Sequence, residues 1–292
     1  MAKAVELLSP NCHENGSILN AMSVDVEEFF QVGAFENCIA KTDWGGFESR
    51  VVEATNEILD LFAKHDAKST FFCLGWVAER QPKLIRRIVS EGHELASHGY
   101  DHARVFTLSE EAFREDVRKT QAILEDISGV EIKGYRAPSF SIDHRTPWAH
   151  GVLADLGYRY SSSVYPVKHD HYGMPDAPRF AYKLEGCDLI EVPMTTVDLF
   201  GKHVPSSGGG YFRLFPYGLS RTLLRRVNNQ DKASAIFYMH PWEIDPEQPR
   251  QSQAPLLARF RHYVNLSKTK AKLERLLQDF CWDRMDKIYL ED

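Results

Sequence analysis

Apolar runs and amphipathic stretches alternate along this chain. Residues 20–26 read as a first strand, and residues 47–65 carry Val51, Val52, Ile58, Leu59 and Leu61 at helical spacing. Residues 68–74 (KSTFFCL) form a short buried strand. A helix over 77–91 turns Leu84, Ile85, Ile88 and Val89 inward and stops at Gly92, and 93–97 make a third strand. Ser109 caps a helix over 109–127, and 134–137 form a fourth strand. A helix over 146–156 ends at Gly157. Strands at 158–161 and 189–192, a helix at 215–228, a last barrel-like strand at 235–240 and a closing helix at 266–280 complete the pattern. This gives about seven βα units and an α/β fold class. The expected layout is an N-terminal extension over 1–19 and a single domain over 20–292.

Two segments stand outside the alternation. Residues 165–183 are rich in Pro, His and Tyr and read as a lid or substrate loop, with Tyr172 as its candidate substrate contact. The run Gly208-Gly209-Gly210 is a hinge, a close backbone approach or a plain turn.

Composition narrows the class. The chain has 292 residues, enough to bury a core without staples, and its 43% hydrophobic and 26% charged content is that of a globular domain. A net charge of −6 argues against a nucleic-acid partner, and Arg221, Arg225 and Arg226 read as the polar side of a helix. No stretch reaches the ~18 apolar residues of a membrane span, so no stable membrane insertion is expected. Residues 1–20 lack an apolar run of signal-peptide length and carry Glu6 and Glu14, so the expected location is cytoplasmic. Five dispersed cysteines without a CxxC predict reduced thiols rather than a disulfide framework or a cysteine zinc site. Oligomeric state leaves no trace in the sequence.

Four short segments bear chemistry. In Ser23-Val24-Asp25-Val26-Glu27-Glu28, strand alternation puts Asp25 and Glu27 on one face while Val24 and Val26 pack. One carboxylate can bind a cation and the other can take a proton from water. His98 and His102, four apart, can reach one ion if the segment turns helically; Asp101 between them holds a ring N–H or faces water. In Tyr135-Arg136-Ala137-Pro138-Ser139, Arg136 at a strand end can clamp a carboxylate, and the Ser139 N–H can aim into a cleft as an oxyanion donor. In Met239-His240-Pro241-Trp242-Glu243, His240 ends an apolar strand and suits proton donation, and Trp242 stacks on a sugar or packs.

Taken in order, these motifs resemble the NodB-homology polysaccharide deacetylases, carbohydrate esterase family 4. They resemble most the exopolysaccharide-associated branch that reads SVDVE first. The stretches HDHYGMPDAPR (169–179), GGGYFR (208–213) and HPWEIDPEQP (240–249) look typical of that branch. The resemblance runs over about 20–286. It implies a distorted (β/α)7 barrel and a divalent metal, often zinc, held by one carboxylate and two histidines. Carried over, His98 and His102 are ligands, Asp25 is the general base, Arg136 orients it and His240 is the general acid. The implied activity is hydrolysis of the N-acetyl group of an acetamido sugar, with an acetylated carbohydrate as partner.

The chain departs from the family pattern twice. Val26 stands where most members have a second, metal-binding aspartate, and the shared face moves that ligand to Glu27. The segment Tyr160-Ser161-Ser162-Ser163 lacks the aspartate that supports the catalytic histidine, leaving Glu191 and Asp198 as candidates to tune His240. Two rival functions are an allantoinase-like hydrolase of a small cyclic amide and a non-catalytic carbohydrate-binding barrel. The intact histidine pair and the retained base and acid weigh against both.

Overall fold

The computed structural model describes residues 7–8, 16–168 and 173–290. Strand β1 (Leu19–Val26) is buried along almost its whole length because it lies mid-sheet, with parallel partners on both sides. Its alternation sorts two cores. Met22, Val24 and Val26 face the helices, while Ala21, Ser23 and Asp25 face the barrel interior.

The chain then runs α1 (Val51–Lys64), β2 (Thr70–Cys73), α2 (Gly75–Arg80), α3 (Pro82–Ser90), β3 (Glu94–Ser97), α4 (Glu110–Ser128), β4 (Gly134–Tyr135), α5 (Ala149–Asp155) and β5 (Tyr160–Ser161). The single helix expected over 77–91 is two helices. Pro82 lacks an N–H, and Gln81 before it leaves helical geometry at φ −127°, ψ 52°. Ser109 caps α4 as expected, accepting from Ala112 N at 3.2 Å. The N-terminus of α1 is capped from a distance: the buried Glu28 carboxylate accepts from Arg50 N (3.0 Å), Val51 N (3.2 Å) and Ser49 Oγ.

The second half contains β6 (Tyr182–Lys183), β7 (Ile190–Glu191), the hairpin β8 (Thr196–Leu199) and β9 (Lys202–Pro205), α6 (Gly209–Leu214), α7 (Tyr217–Arg226), β10 (Ile236–Met239), α8 (Leu256–Tyr263), α9 (Leu266–Asp279), β11 (Cys281–Asp283) and α10 (Met285–Tyr289). The sequence pattern missed β6, the hairpin, α6, α8, β11 and α10.

The main sheet runs β10-β1-β2-β3-β4-β5-β7, all parallel, with β6 antiparallel at the edge and β11 also on β1. This curled parallel sheet fits the distorted seven-strand barrel. No ladder joins β7 to β10 among the described residues. That seam is covered by the segment 195–208: Ile236 N donates to Thr195 Oγ1 (2.6 Å) and Tyr238 N to Ser207 O (2.7 Å). The Gly208 to Gly210 run is therefore a close backbone approach. A Cβ on Gly208 would lie 2.0 Å from the Tyr238 carbonyl oxygen, and the residue sits at φ +126°.

Helix α10 seals the barrel floor. Met285 and Ile288 enter the interior cluster beside Phe72 and Tyr160. Met285 N donates to Thr70 Oγ1 (2.8 Å) and Asp286 N to Glu94 Oε2 (3.1 Å). Part of the expected lid also packs inside: Tyr165 and Val167 are buried in the same cluster. Tyr172 lies outside the described residues.

Candidate active site

The barrel mouth brings seven of the proposed residues into one cavity of about 490 Å³: Asp25, Glu27, His98, His102, Ser139, His240 and Trp242. Asp25 is the penultimate residue of β1, and Glu27 follows the strand and lines the same cavity; both are buried. His98 follows β3 and is buried.

The segment from His98 to His102 is not helical. It bends through left-handed backbone at Gly99 (φ 74°) and His102 (φ 58°). The uncapped N–H groups at the start of α2 hold the bend: Gly75 N donates to Gly99 O (3.0 Å) and Trp76 N to Tyr100 O (2.8 Å). Asp116 accepts from Tyr100 N at 3.2 Å, and burial pushes its carboxyl up to about 6. Asp101 pairs with Lys41 at 2.6 Å instead of holding an imidazole. A non-glycine residue held at positive φ is strained, and here the strain falls on a proposed ligand.

The nitrogen that faces the cavity follows from the hydrogen bonds. His98 Nδ1 lies 2.8 Å from the Arg136 carbonyl, which can only accept, so Nδ1 carries the hydrogen and Nε2 keeps its lone pair. Burial drives the His98 imidazole down to about 4, so it is neutral at pH 7 and fit to ligate. Burial opposes the charge on Glu27, but His102, His240 and His98 outweigh it and hold the carboxyl down to about 2. Glu27 Oε1 accepts from Trp242 Nε1 at 3.2 Å. Its Oε2 is buried without a hydrogen bond, 3.0 Å from His102 Nε2. One ligand atom each from Glu27, His98 and His102 lie within 4.8 Å of one another. Two imidazole nitrogens and a carboxylate oxygen without a hydrogen bond, converging in one largely buried site, fit a divalent cation.

Arg136 is fully buried and fixes Asp25. Its Nη1 donates to Asp25 Oδ1 (2.6 Å) and Ser23 Oγ (2.8 Å). The serine run that lacks a carboxylate holds the other side of the guanidinium, through Ser162 O (3.2 Å) and Ser162 Oγ (3.1 Å), with Phe72 beneath it.

His240 stands opposite, its Nε2 3.6 Å from Glu27 Oε1 and 3.9 Å from Asp25 Oδ2. Its Nδ1 is 2.7 Å from Glu243 Oε1. Burial alone would lower this imidazole, but Glu27, Glu243 and Asp25 together raise it to about 9. Glu243 is itself buried and paired with Arg213 Nε at 2.7 Å. The carboxylate behind His240 is therefore Glu243, and neither expected candidate fills that place. Glu191 accepts from Ser163 N, Val164 N and His150, and Asp198 accepts from Gly201 N in the β8–β9 turn.

Trp242 occupies a different setting from an open sugar platform. Its ring is stacked between His240 (4.9 Å) and His262 (4.2 Å), and its N–H is committed to Glu27. Ser139 (φ 55°) and Phe140 (φ 50°) form a strained turn on the cavity wall.

The mixed α/β fold thus gathers paired carboxylates, two histidines, a buried arginine and a carboxylate-backed histidine at one mouth. Residues 41–161 match the family described as polysaccharide deacetylase, and residues 162–290 match a domain of unknown function, DUF3473. Residues 41–161 thus carry a polysaccharide deacetylase domain of the NodB-homology class. Among its relatives is a Bacillus cereus peptidoglycan-N-acetylglucosamine deacetylase, 36% identical over 99 residues, which are 34% of this chain and 36% of that protein. A Rhizobium leguminosarum chitooligosaccharide deacetylase is 34% identical over 83 residues, 28% of this chain and 39% of that protein. The matched stretches thus span little more than a third of these relatives. A Mycobacterium smegmatis crystal structure of polysaccharide-deacetylase type shares the fold at TM-score 0.60 and 18% identity, covering 97% of this chain and 93% of that one.

Proposed function

We propose that this protein is a metal-dependent N-deacetylase that removes the acetyl group from an acetamido sugar of a polysaccharide or its precursor. One observation carries the reading. A clamped carboxylate (Asp25), a ligand triad (Glu27, His98, His102) and a carboxylate-backed histidine (His240) face one cavity. Glu27, His98 and His102 would hold the cation, and their donor set suits zinc. A bound cation of this kind supplies polarisation of the acetyl carbonyl and a lowered pKa for water.

The chain's own residues do the rest. Asp25, held by Arg136, accepts a proton from the attacking water. Ser139, on the cavity wall, offers its backbone N–H to the developing oxyanion. His240 Nε2 delivers a proton to the departing amine, so the products are acetate and the free amino sugar. The SVDVE, GGGYFR and HPWEIDPEQP stretches support placement in the exopolysaccharide-associated branch.

Acetate release from acetamido oligosaccharides tests the reading. Asp25→Asn and His240→Ala should each lower the rate by roughly 10²–10⁴. Full activity in both variants would sink the assignment. The His98→Ala, His102→Ala double variant should lose bound metal on elemental analysis.

A further inference from the structure

Among the described residues, large hydrophobic side chains are exposed at eight positions. Three of them line one groove, Leu214 (48%), Leu257 (59%) and Phe260 (56%), and Leu256 (80%) precedes Leu257 on α8. Leu256, Leu257 and Phe260 follow the i, i+1, i+4 spacing of one helix face, turned outward from α8, whose only buried residue is His262. An apolar face presented to water on so short a helix calls for an occupant.

The patch is concave. Leu214 of α6 and Leu257, Phe260 and Arg261 of α8, with Tyr211 and Val264, wall a groove of about 400 Å³. The groove joins the catalytic cavity, since Val32, Leu257, Trp242 and Arg261 line both. A volume of this size, mostly apolar with a few placed polar groups, is that of a ligand site. At the junction stands a cation. Among the described residues, neither Arg261 nor Arg259 has a carboxylate within ion-pair distance, although the chain carries a net charge of −6. A guanidinium there suits a phosphate oxygen.

A plain oligosaccharide does not account for these features. Its hydroxyls call for polar subsites, whereas this groove offers leucine and phenylalanine beyond a free arginine. We infer that the site takes its acetamido sugar as the head group of an amphiphile. The sugar lies in the catalytic cavity, an anionic phosphate-type linkage meets Arg261, and an apolar tail fills the groove between α6 and α8. The inference rests on the deacetylase reading for the identity of the sugar.

The test compares three probes on the full chain: an N-acetylglucosamine oligosaccharide, N-acetylglucosamine phosphate, and the same phosphate carrying a decyl tail below its micelle concentration. Binding is read by calorimetry and turnover by acetate release. The tail should tighten binding by roughly tenfold or more, because it removes apolar surface from water. The Leu214→Ser, Phe260→Ser double variant should erase that gain. Both side chains are exposed, and an unchanged unfolding midpoint verifies the fold. Arg261→Gln should erase the preference for the phosphate-linked tail over a neutral decyl glycoside. Equal affinity with and without the tail overturns the inference, and so does a gain that survives the double variant. Anionic vesicles without sugar give a separate arm. If the protein binds them through Phe260 and the monomeric tail adds nothing, the face is a membrane contact and the inference fails. If no probe releases acetate, the deacetylase reading falls while calorimetry still decides whether the amphiphile binds.

Discussion

His240 meets Glu243 only three residues further on, and this short loop of chain fixes which ring nitrogen faces the cavity. His240 is extended (φ −119°, ψ 151°), Pro241 opens a tight turn, and the turn folds Glu243 back onto Nδ1. Glu243→Gln keeps the volume but removes one of the three charges that raise His240. It should lower kcat by about 10- to 100-fold, with KM and metal content little changed. A fall in metal content or a large rise in KM would instead make Glu243 a scaffold for the cavity wall. The histidines, Arg136 and the two first-motif carboxylates were legible in the sequence because each sits beside an apolar strand. Glu243 was visible in HPWE, but its partner Arg213 is 30 residues away and gives no local signal. The spacing of His98 and His102 pointed to a shared ion through a helical turn. The structure reaches the same convergence through left-handed backbone at Gly99 and His102, which a spacing rule does not see.

At the scale of elements, short buried strands announce themselves by their apolar runs, and β1, β2, β3 and β10 lie within a residue or two of the sequence boundaries. Helix α8 did not, because LLARFRHY turns its large apolar side chains outward and buries a histidine, the reverse of the usual pattern. The β8–β9 hairpin turns at Phe200-Gly201 with Phe200 at φ 55°, where a bulky residue is not expected. Two glycines make opposite predictions. Gly208→Ala would drive a Cβ into the Tyr238 carbonyl and should destabilise by about 2 kcal/mol or more. Gly218 in α7 has nothing within 4 Å of an added Cβ, so Gly218→Ala should be neutral or stabilise by up to ~1 kcal/mol. Urea midpoints check the pair: that of Gly208→Ala should fall, and that of Gly218→Ala should stay or rise.

For the whole molecule, the barrel floor carries a pH dependence separate from the mouth. Glu94 is buried beneath α10, and burial, then the nearby Asp286 charge, push it up to about 8 despite bonds from Thr70, Asp286 N and Tyr160. Its folded value lies above its ordinary 4.5, so its stabilising share is complete below about pH 4.5 and is lost as pH rises toward about 8. His93 beside it runs the other way. Burial, then Lys68 and Arg284, hold it down to about 4, so its share is lost as pH falls from 6.5 toward 4. Glu94→Gln should flatten the alkaline decline, a change on the order of a few kcal/mol, and leave the acid one in place. Urea unfolding between roughly pH 5 and 8 measures the difference, and parallel curves for wild type and variant would exclude the assignment. The alternation of strands and helices made the barrel legible. The sealing of its floor by the last helix was not, since α10 is only five residues long.

The seam between β7 and β10 gives the ring a preferred place to yield. A fully laddered barrel spreads deformation around its circumference, whereas here it concentrates on the segment 195–208. That segment runs straight into α6, which carries Arg213, and Arg213 grips Glu243 behind His240. Asp25, Glu27, His98 and Arg136 lie on or just after β1, β3 and β4, further along the continuous arc that begins at β10. The seam therefore reaches the site through Arg213 and Glu243 behind His240.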